Sequence, residues 1–155
     1  MARIIEVRID SKEATAAIEA AEAELDRRYG PSTDRSVSEV AAFAPPRGAF
    51  FVALDHAAIL GGVGLRTIHE GVGEIKRLWV TESARRQGLA TLLMDAAEQA
   101  AQRLGMHLVE LETGPLQPEA VSLYLTTGWE LVDELPHRVS DYPDAVRFLK
   151  RYYSV

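Results

Sequence analysis

The sequence predicts an α+β fold: one domain, residues 1–155, with helices flanking a mixed β-sheet. Three observations carry this. Residues 74–112 read as strand, tight connection, long helix and strand, a crossover that sets two strands parallel in one sheet. Upstream, apolar runs at 49–54 and 59–68 are joined by Asp55 and His56 and read as a hairpin, so the sheet is mixed. A chain of 155 residues suits one hydrophobic core.

Residues 3–9 alternate, with Ile5, Val7 and Ile9 opposite Glu6 and Arg8, the pattern of a half-buried strand. Asp10 and Glu13 have capping-box spacing. Ala14, Ile18, Ala21 and Leu25 then form a helical stripe that Gly30-Pro31 ends. The opposite face, with Glu19, Glu22, Glu24 and Asp26, reads as solvated. Residues 31–48 read as a loop or lid with a short helix near 39–43. Gly61, Gly62 and Gly64 mark a bend or a close backbone approach. Gly71 and Gly73 frame a turn before strand 74–80. Strict alternation there puts Glu74, Lys76, Leu78 and Val80 on one face, and Ile75, Arg77 and Trp79 on the other.

The strongest helical stripe is Leu89, Leu92, Leu93, Ala96, Ala97, Ala100 and Leu104, closed by Gly105. Strand 107–112 follows. Pro118 opens a helix carrying Ala120, Leu123 and Tyr124, and Gly128 stops it. Segments 129–132 and 145–152 close the sheet. Pro136 and Pro143 bracket a turn-rich segment suited to binding residues.

Composition excludes several classes. The chain has no cysteine, which rules out thiolate zinc sites, Fe–S clusters and a cysteine nucleophile. A net charge of −6 disfavours a general nucleic-acid binder. No apolar run approaches the ~18 residues of a spanning helix. The N-terminal residues lack the apolar core of a secretion signal. The expectation is a soluble cytoplasmic protein with no membrane partner. The four histidines are dispersed and no HExxH occurs, so no metal is expected.

The richest chemical segment is Arg85-Arg86-Gln87-Gly88-Leu89-Ala90-Thr91, where a strand passes into the long helix. Unpaired amides at a helix start attract anions, Gly88 admits a ligand to the backbone, and two arginines add positive charge. The segment suits a pyrophosphate; taken alone, it is equally ordinary surface charge. No Walker pattern occurs, and Gly62-Val63-Gly64 lacks the third glycine of a dinucleotide fingerprint.

Arg85-x-x-Gly88-x-Ala90 matches the Q/R-x-x-G-x-G/A signature of the GCN5-related N-acetyltransferase (GNAT) superfamily, which residues 74–129 resemble. HLVELETG and PEAVSLYLTTGW follow in that family's order, and Tyr142-Pro143 before a last strand resembles small bacterial amino-acid or amine acetyltransferases. The resemblance implies a centrally splayed sheet, acetyl-CoA as cosubstrate and an acetyl-CoA-binding, catalytic core at 74–129. Arg85, Arg86, Gln87, Gly88, Leu89, Ala90 and Thr91 would hold the pyrophosphate. Leu78 and Val80 would offer backbone groups to the pantetheine arm, with the Leu78 amide on the thioester carbonyl. Gln117 stands where the family often has asparagine, and Gln87 where a small residue is frequent.

The resemblance also implies Tyr124 as the acid beside the CoA sulfur and Glu74 as the base that deprotonates the amine. Packing of Tyr124 and a surface place for Glu74 are the alternatives. Glu112 either orients a cationic substrate or pairs with a basic side chain. Arg66, Lys76 and Arg77 suit a substrate carboxylate, although the parity of Arg77 also turns it toward a covering helix. His69 reads as a loop histidine before it reads as a base. The function implied is direct acetyl transfer to a primary amine of a small molecule, with an amino acid among the candidates, in a ternary complex. The alternatives are a catalytically inactive CoA-binding regulator or sensor, and an unrelated nucleotide-binding domain. The family's frequent dimerisation makes a homodimer an expectation, though no stripe defines its interface.

Overall fold

Alternation and helical periodicity resolve into seven strands and three helices in the computed structural model, which describes residues 2–31, 40–138 and 143–153. In chain order these are β1 (Arg3–Val7), α1 (Lys12–Tyr29), β2 (Gly48–Asp55), β3 (Ala58–His69), β4 (Val72–Val80), α2 (Leu89–Arg103), β5 (Leu108–Thr113), α3 (Pro118–Thr126), β6 (Glu130–Val132) and β7 (Val146–Arg151). The sheet order is β1-β2-β3-β4-β5-β7-β6. Among the described residues only β4 and β5 run parallel, joined through α2 as the crossover requires. The α+β expectation holds, and the sheet is mixed. Among the described residues no helix is long and apolar enough to cross a membrane.

The two faces of the sheet carry separate cores. A Cβ on Gly61 would lie 3.0 Å from Leu93 of α2, whereas one on Gly62 would lie 2.9 Å from Ala17 of α1. Successive residues thus face opposite helices, as strand geometry dictates. A Cβ on Gly64 would come within 2.8 Å of the fully buried Phe43 ring. The glycines of β3 therefore mark close approach, one of the two readings the sequence left open. Residues 32–39 of the 31–48 loop, Glu39 among them, and Tyr142 lie outside the described residues. Val40 and Ala41 are helical, and Phe43 packs into the α1-side core.

Several boundaries differ from expectation. The turn before β4 is centred on Glu70-Gly71, and Gly73 lies inside the strand. The cap of α1 is Ser11, whose side chain accepts from the Ala14 amide at 3.1 Å. Asp10 instead receives the Arg8 guanidinium at 2.9 Å on both oxygens. α2 ends as expected at Gly105, with φ 78 and the bonds Met106 N→Ala101 O and Gly105 N→Gln102 O of a Schellman turn.

The largest correction is the parity of β4. Pairing with β3 runs Ile75↔Leu65 and Lys76↔Gly64, then jumps to Trp79↔Gly62 and Val80↔Gly61. Arg77 and Leu78 oppose Val63 alone, and Arg77 sits at φ 64. This bulge flips the alternation. Glu74, Lys76 and Trp79 share the α1 face. Leu78 and Val80 join Ile75 against the core beneath α2. Glu74 and Leu78 do not share a face.

The capping geometry gives a direct test. Ser11→Ala should cost about 1 kcal/mol of unfolding free energy in urea melts, the usual value of an N-cap. Asp10→Ala should leave the midpoint close to that of the unaltered protein.

Candidate active site

β4 and β5 pair only at Val72↔Leu108, Gly73↔Val109 and Glu74↔Glu110. Beyond these residues both strands continue, and neither finds the other. The splay opens beside the bulge, so residues 75–80 have no ladder partner in β5. A groove of about 540 Å³ lies there. Leu78, Trp79 and Val80 line it, as do the loop from Ala84 into α2 and the α3 side chains of Ala120, Ser122, Leu123 and Thr126. It brings together every cofactor-binding residue expected from the sequence (Leu78, Val80, Arg85, Arg86, Gly88, Leu89, Ala90, Thr91 and Gln117) except Gln87.

The loop is built by local backbone chemistry. A 3-10 turn at Glu82–Ala84 follows β4. Arg86 at φ 66 and Gly88 at φ 79 both adopt left-handed backbone, and Gly88 is the residue before α2. Nothing stands within 4 Å of a Cβ built on Gly88, so glycine is favoured there by φ and leaves its surroundings open.

The two arginines differ. Arg85 donates Nε to the Val80 carbonyl at 3.0 Å and its terminal nitrogen to Glu24 at 3.1 Å. Its guanidinium is occupied by the protein. Arg86 is exposed. Glu24 also binds Arg27, and Arg28 at 3.0 Å. Arg28 bridges onward to Glu119 and to the Leu116 carbonyl, fastening α1 to the start of α3. The Glu24 carboxyl is held at about 2, through the hydrogen bond from Arg27 first and then those from Arg85 and Arg28, against a burial effect that acts the other way. The α1 acidic face is therefore not simply solvated: Glu24 lines the groove, and Glu22 meets Arg77 at 3.3 Å. Arg77 faces the covering helix. The Gln117 carbonyl oxygen accepts from Thr113 Oγ1 at 3.1 Å and from the Gly114 amide at 3.3 Å, bracing the turn before α3.

A second cluster lies at the opposite end of the splay. Glu74 is fully buried. One carboxylate oxygen accepts from Arg66 at 2.7 and 2.8 Å, the other from Arg138 Nε at 2.6 Å. With a guanidinium group on each oxygen, Glu74 is an anchored, buried ion pair and not a surface carboxylate. Glu110 is also fully buried and binds the amides of His137 and Arg138, at 3.2 and 3.0 Å, and His137 Nδ1 at 2.8 Å. His69 packs on His137 with ring centres 5.0 Å apart. Arg138 reaches Glu112 at 3.4 Å.

Tyr124 is buried on the inner side of α3, its ring 5.3 Å from Phe148 and 6.0 Å from Trp129. Burial pushes its hydroxyl pKa up. Leu123, the preceding residue, lines the groove. Among the described residues no set of three or more acidic or histidine side chains is placed to hold a metal.

Sequence reasoning missed Glu24, Arg28, Glu119, His137 and Arg138. The Glu24–Arg28 spacing of four was a visible signal for a helix pair, but not for its contact with the distant loop.

The family model described as "Acetyltransferase (GNAT) family" matches residues 13–129, and the chain belongs to that family. It is thus an N-acetyltransferase whose acyl donor is acetyl-CoA. A protein from Azospirillum brasilense named IAA acetyltransferase is 30% identical over 110 residues, covering 68% of this chain and 72% of its own. An acyl-CoA N-acyltransferase fold from Klebsiella pneumoniae superposes with TM-score 0.78 at 23% identity, covering 99% of both chains. A Bacillus subtilis acetyltransferase in complex with CoA superposes with TM-score 0.70 at 19% identity, covering 99% of this chain and 100% of its own.

The Glu24 hub makes stability depend on pH. Its folded pKa is depressed, so its contribution is complete above the ordinary value of 4.5 and is lost as pH falls toward about 2. Glu24→Gln should lower stability at pH 6, and the gap to the unaltered protein should narrow steadily from pH 4.5 to 2 in urea melts. A gap independent of pH would show that Glu24 contributes through packing alone.

Proposed function

We propose that the protein acetylates a primary amine of a small molecule by direct attack in a ternary complex, with acetyl-CoA lying in the groove of the β4–β5 splay. The observation that carries this reading is the coincidence of that groove with the bulge at Arg77. Strand backbone released from its neighbour is the natural partner for an extended, amide-bearing pantetheine arm. The amides at the start of α2 and the exposed Arg86 suit a pyrophosphate. Because Arg85 is bound to Val80 and Glu24, the pyrophosphate is held chiefly by backbone dipoles, with Arg85 shaping the loop.

In this reading the Leu78 amide polarises the thioester carbonyl and stabilises the charge that develops there. Tyr124 serves the departing sulfur. A thiolate with a cysteine-like pKa of about 8.5 is a weaker base than a phenolate pushed above its reference of about 10. The hydroxyl therefore stabilises sulfur by hydrogen bonding and passes its proton on as the adduct's N–H returns one. Glu74 anchors Arg66 and Arg138 on the acceptor side. A small, cytoplasmic amine remains the substrate class that the acidic chain and the enclosed polar cluster favour.

Gly88→Val should weaken CoA binding at least tenfold by calorimetry, because the branched side chain stands where the backbone must be approached. The αL conformation adds strain of roughly 1–2 kcal/mol, so a lower melting temperature is expected as well. Unchanged CoA affinity in the folded variant would remove the loop from the binding site.

Tyr124→Phe keeps the ring packed against Phe148 and deletes the donor. Single-turnover transfer at saturating amine should fall roughly 10²–10⁴-fold with CoA affinity preserved. A stability change with intact chemistry would identify Tyr124 as a packing residue only.

A further inference from the structure

Beyond Glu74↔Glu110 the two strands part, and each leads into one wall of the groove. β4 runs on to Val80 and the loop before α2, and β5 runs on to Thr113 and the turn before α3. Among the described residues no hydrogen bond or ion pair joins loop 81–88 directly to turn 114–117 or to α3. Both walls are joined to α1 instead. On the loop side, Glu24 takes the Arg85 guanidinium at 3.1 Å. One helical turn on, Arg28 holds Glu24 at 3.0 Å and reaches the other wall. There it donates to the Leu116 carbonyl at 3.0 Å and pairs with Glu119 at 2.5 Å. The Tyr29 hydroxyl accepts from the Leu116 amide at 2.9 Å and donates to Gln117 Oε1 at 3.4 Å. Positions 24 and 28 share a helix face, so one side of α1 spans the opening from loop to turn.

Gly114 shows how closely this contact is set. It lacks the left-handed backbone of Gly88, so its missing side chain serves approach and not conformation. A Cβ built on it would overlap the Tyr29 hydroxyl. Neither Tyr29 nor Gly114 lines the groove. Any effect they have on a ligand there passes through the position of the turn. At the far end of α3, Lys150 links Glu98 of α2 to the Thr127 carbonyl, each at 2.8 Å. α3 is thus tied at both ends, and its N-terminal tie runs through α1.

We propose that the last turn of α1 is the brace that sets the width of the cofactor groove, with Tyr29 and Arg28 as positioning residues for acetyl-CoA. This rests on the reading of the groove as the acetyl-CoA site. Strand backbone pairs with a pantetheine arm only across hydrogen-bond distances, a window of about half an ångström. The two walls must therefore stand at one spacing. A groove without its brace visits wider arrangements, and its affinity falls by the fraction of molecules left at the binding width. Tyr29 touches no reacting atom, so its contribution is to cofactor binding and not to the chemical step.

The chain has no cysteine, so one spin label can be placed on each wall, at Ser83→Cys and Leu125→Cys, both exposed and neither lining the groove. The distance distribution between the two nitroxides is measured by pulsed electron resonance in the full chain and in its Tyr29→Phe and Gly114→Ala variants. CoA affinity by calorimetry and thermal melting are measured on the unlabelled proteins. Tyr29→Phe keeps the ring and deletes the hydroxyl, whereas Gly114→Ala displaces the hydroxyl and keeps the tyrosine. Each is expected to broaden the distribution and to weaken CoA binding roughly three- to tenfold, the range over which one hydrogen bond shifts a population. Saturating CoA should narrow the distribution again, because it binds the braced width better. The double variant should bind CoA no worse than the weaker single one, since both changes act on one contact. Should Gly114→Ala fail to fold, Tyr29→Phe decides alone. A folded Tyr29→Phe protein with unaltered affinity and unaltered distances overturns the brace and leaves the acetyl-CoA groove standing, whatever its melting temperature. Weaker binding with unaltered distances overturns it too, because the loss then does not pass through the spacing of the walls. If the unaltered protein binds no CoA, the groove reading falls and this assignment with it.

Discussion

Parallel pairing between β4 and β5 stops after Glu74↔Glu110, and most of the molecule is arranged around that stop. Two strands that part leave backbone groups to be satisfied elsewhere, so a fold that opens its own sheet must also hold the opening apart. Here the bulge at Arg77 turns β4 away, and Arg77 is pinned to α1 through Glu22. On the other strand, β7 takes over as the neighbour of β5 along its full length, from Leu108↔Arg151 to Thr113↔Val146. β5 loses β4 without becoming an edge. The groove follows from these two facts, and α2 then starts where its open amides border it.

Much of this was legible in the sequence for physical reasons. Period-two and period-3.6 patterns are written by burial, so the strands and the two long helices emerged within a residue or two of their ends. The 85–91 loop was legible because left-handed backbone favours glycine, and Gly88 supplies it. The face of Leu78 was not. Strict alternation assumes an unbroken ladder, and one extra residue at Arg77 reverses every side chain after it. Arginine at positive φ carries no signal that glycine would have given. Ser11 and Asp10 were adjacent candidates for one cap, and only geometry distinguishes them.

The polar cluster was the least legible part. Glu74 and Glu110 were visible as carboxylates in strands, but apart from Arg66 their partners come from a turn-rich segment far along the chain, where nothing periodic marks His137 or Arg138. The same blindness applied to Glu24. A glutamate on the polar face of an amphipathic helix looks solvated whatever it touches, and its partner Arg85 is 61 residues away. Long-range ion pairs leave no local pattern, so a role that rests on which oxygen is already taken can be read only from the assembled fold.

The two fully buried carboxylates at 74 and 110 sit opposite each other in adjacent strands, a like-charged pair at the centre of the sheet. Their countercharges do not come from the strands on either side alone: Arg138 and the His137 amide arrive from beyond β6. Arg66 of β3 answers Glu74 from within the sheet, and compensation is complete only when the segment carrying residues 137 and 138 docks. The centre of the sheet is therefore closed by a segment that follows β6, and the parallel junction depends on a turn far from it along the chain.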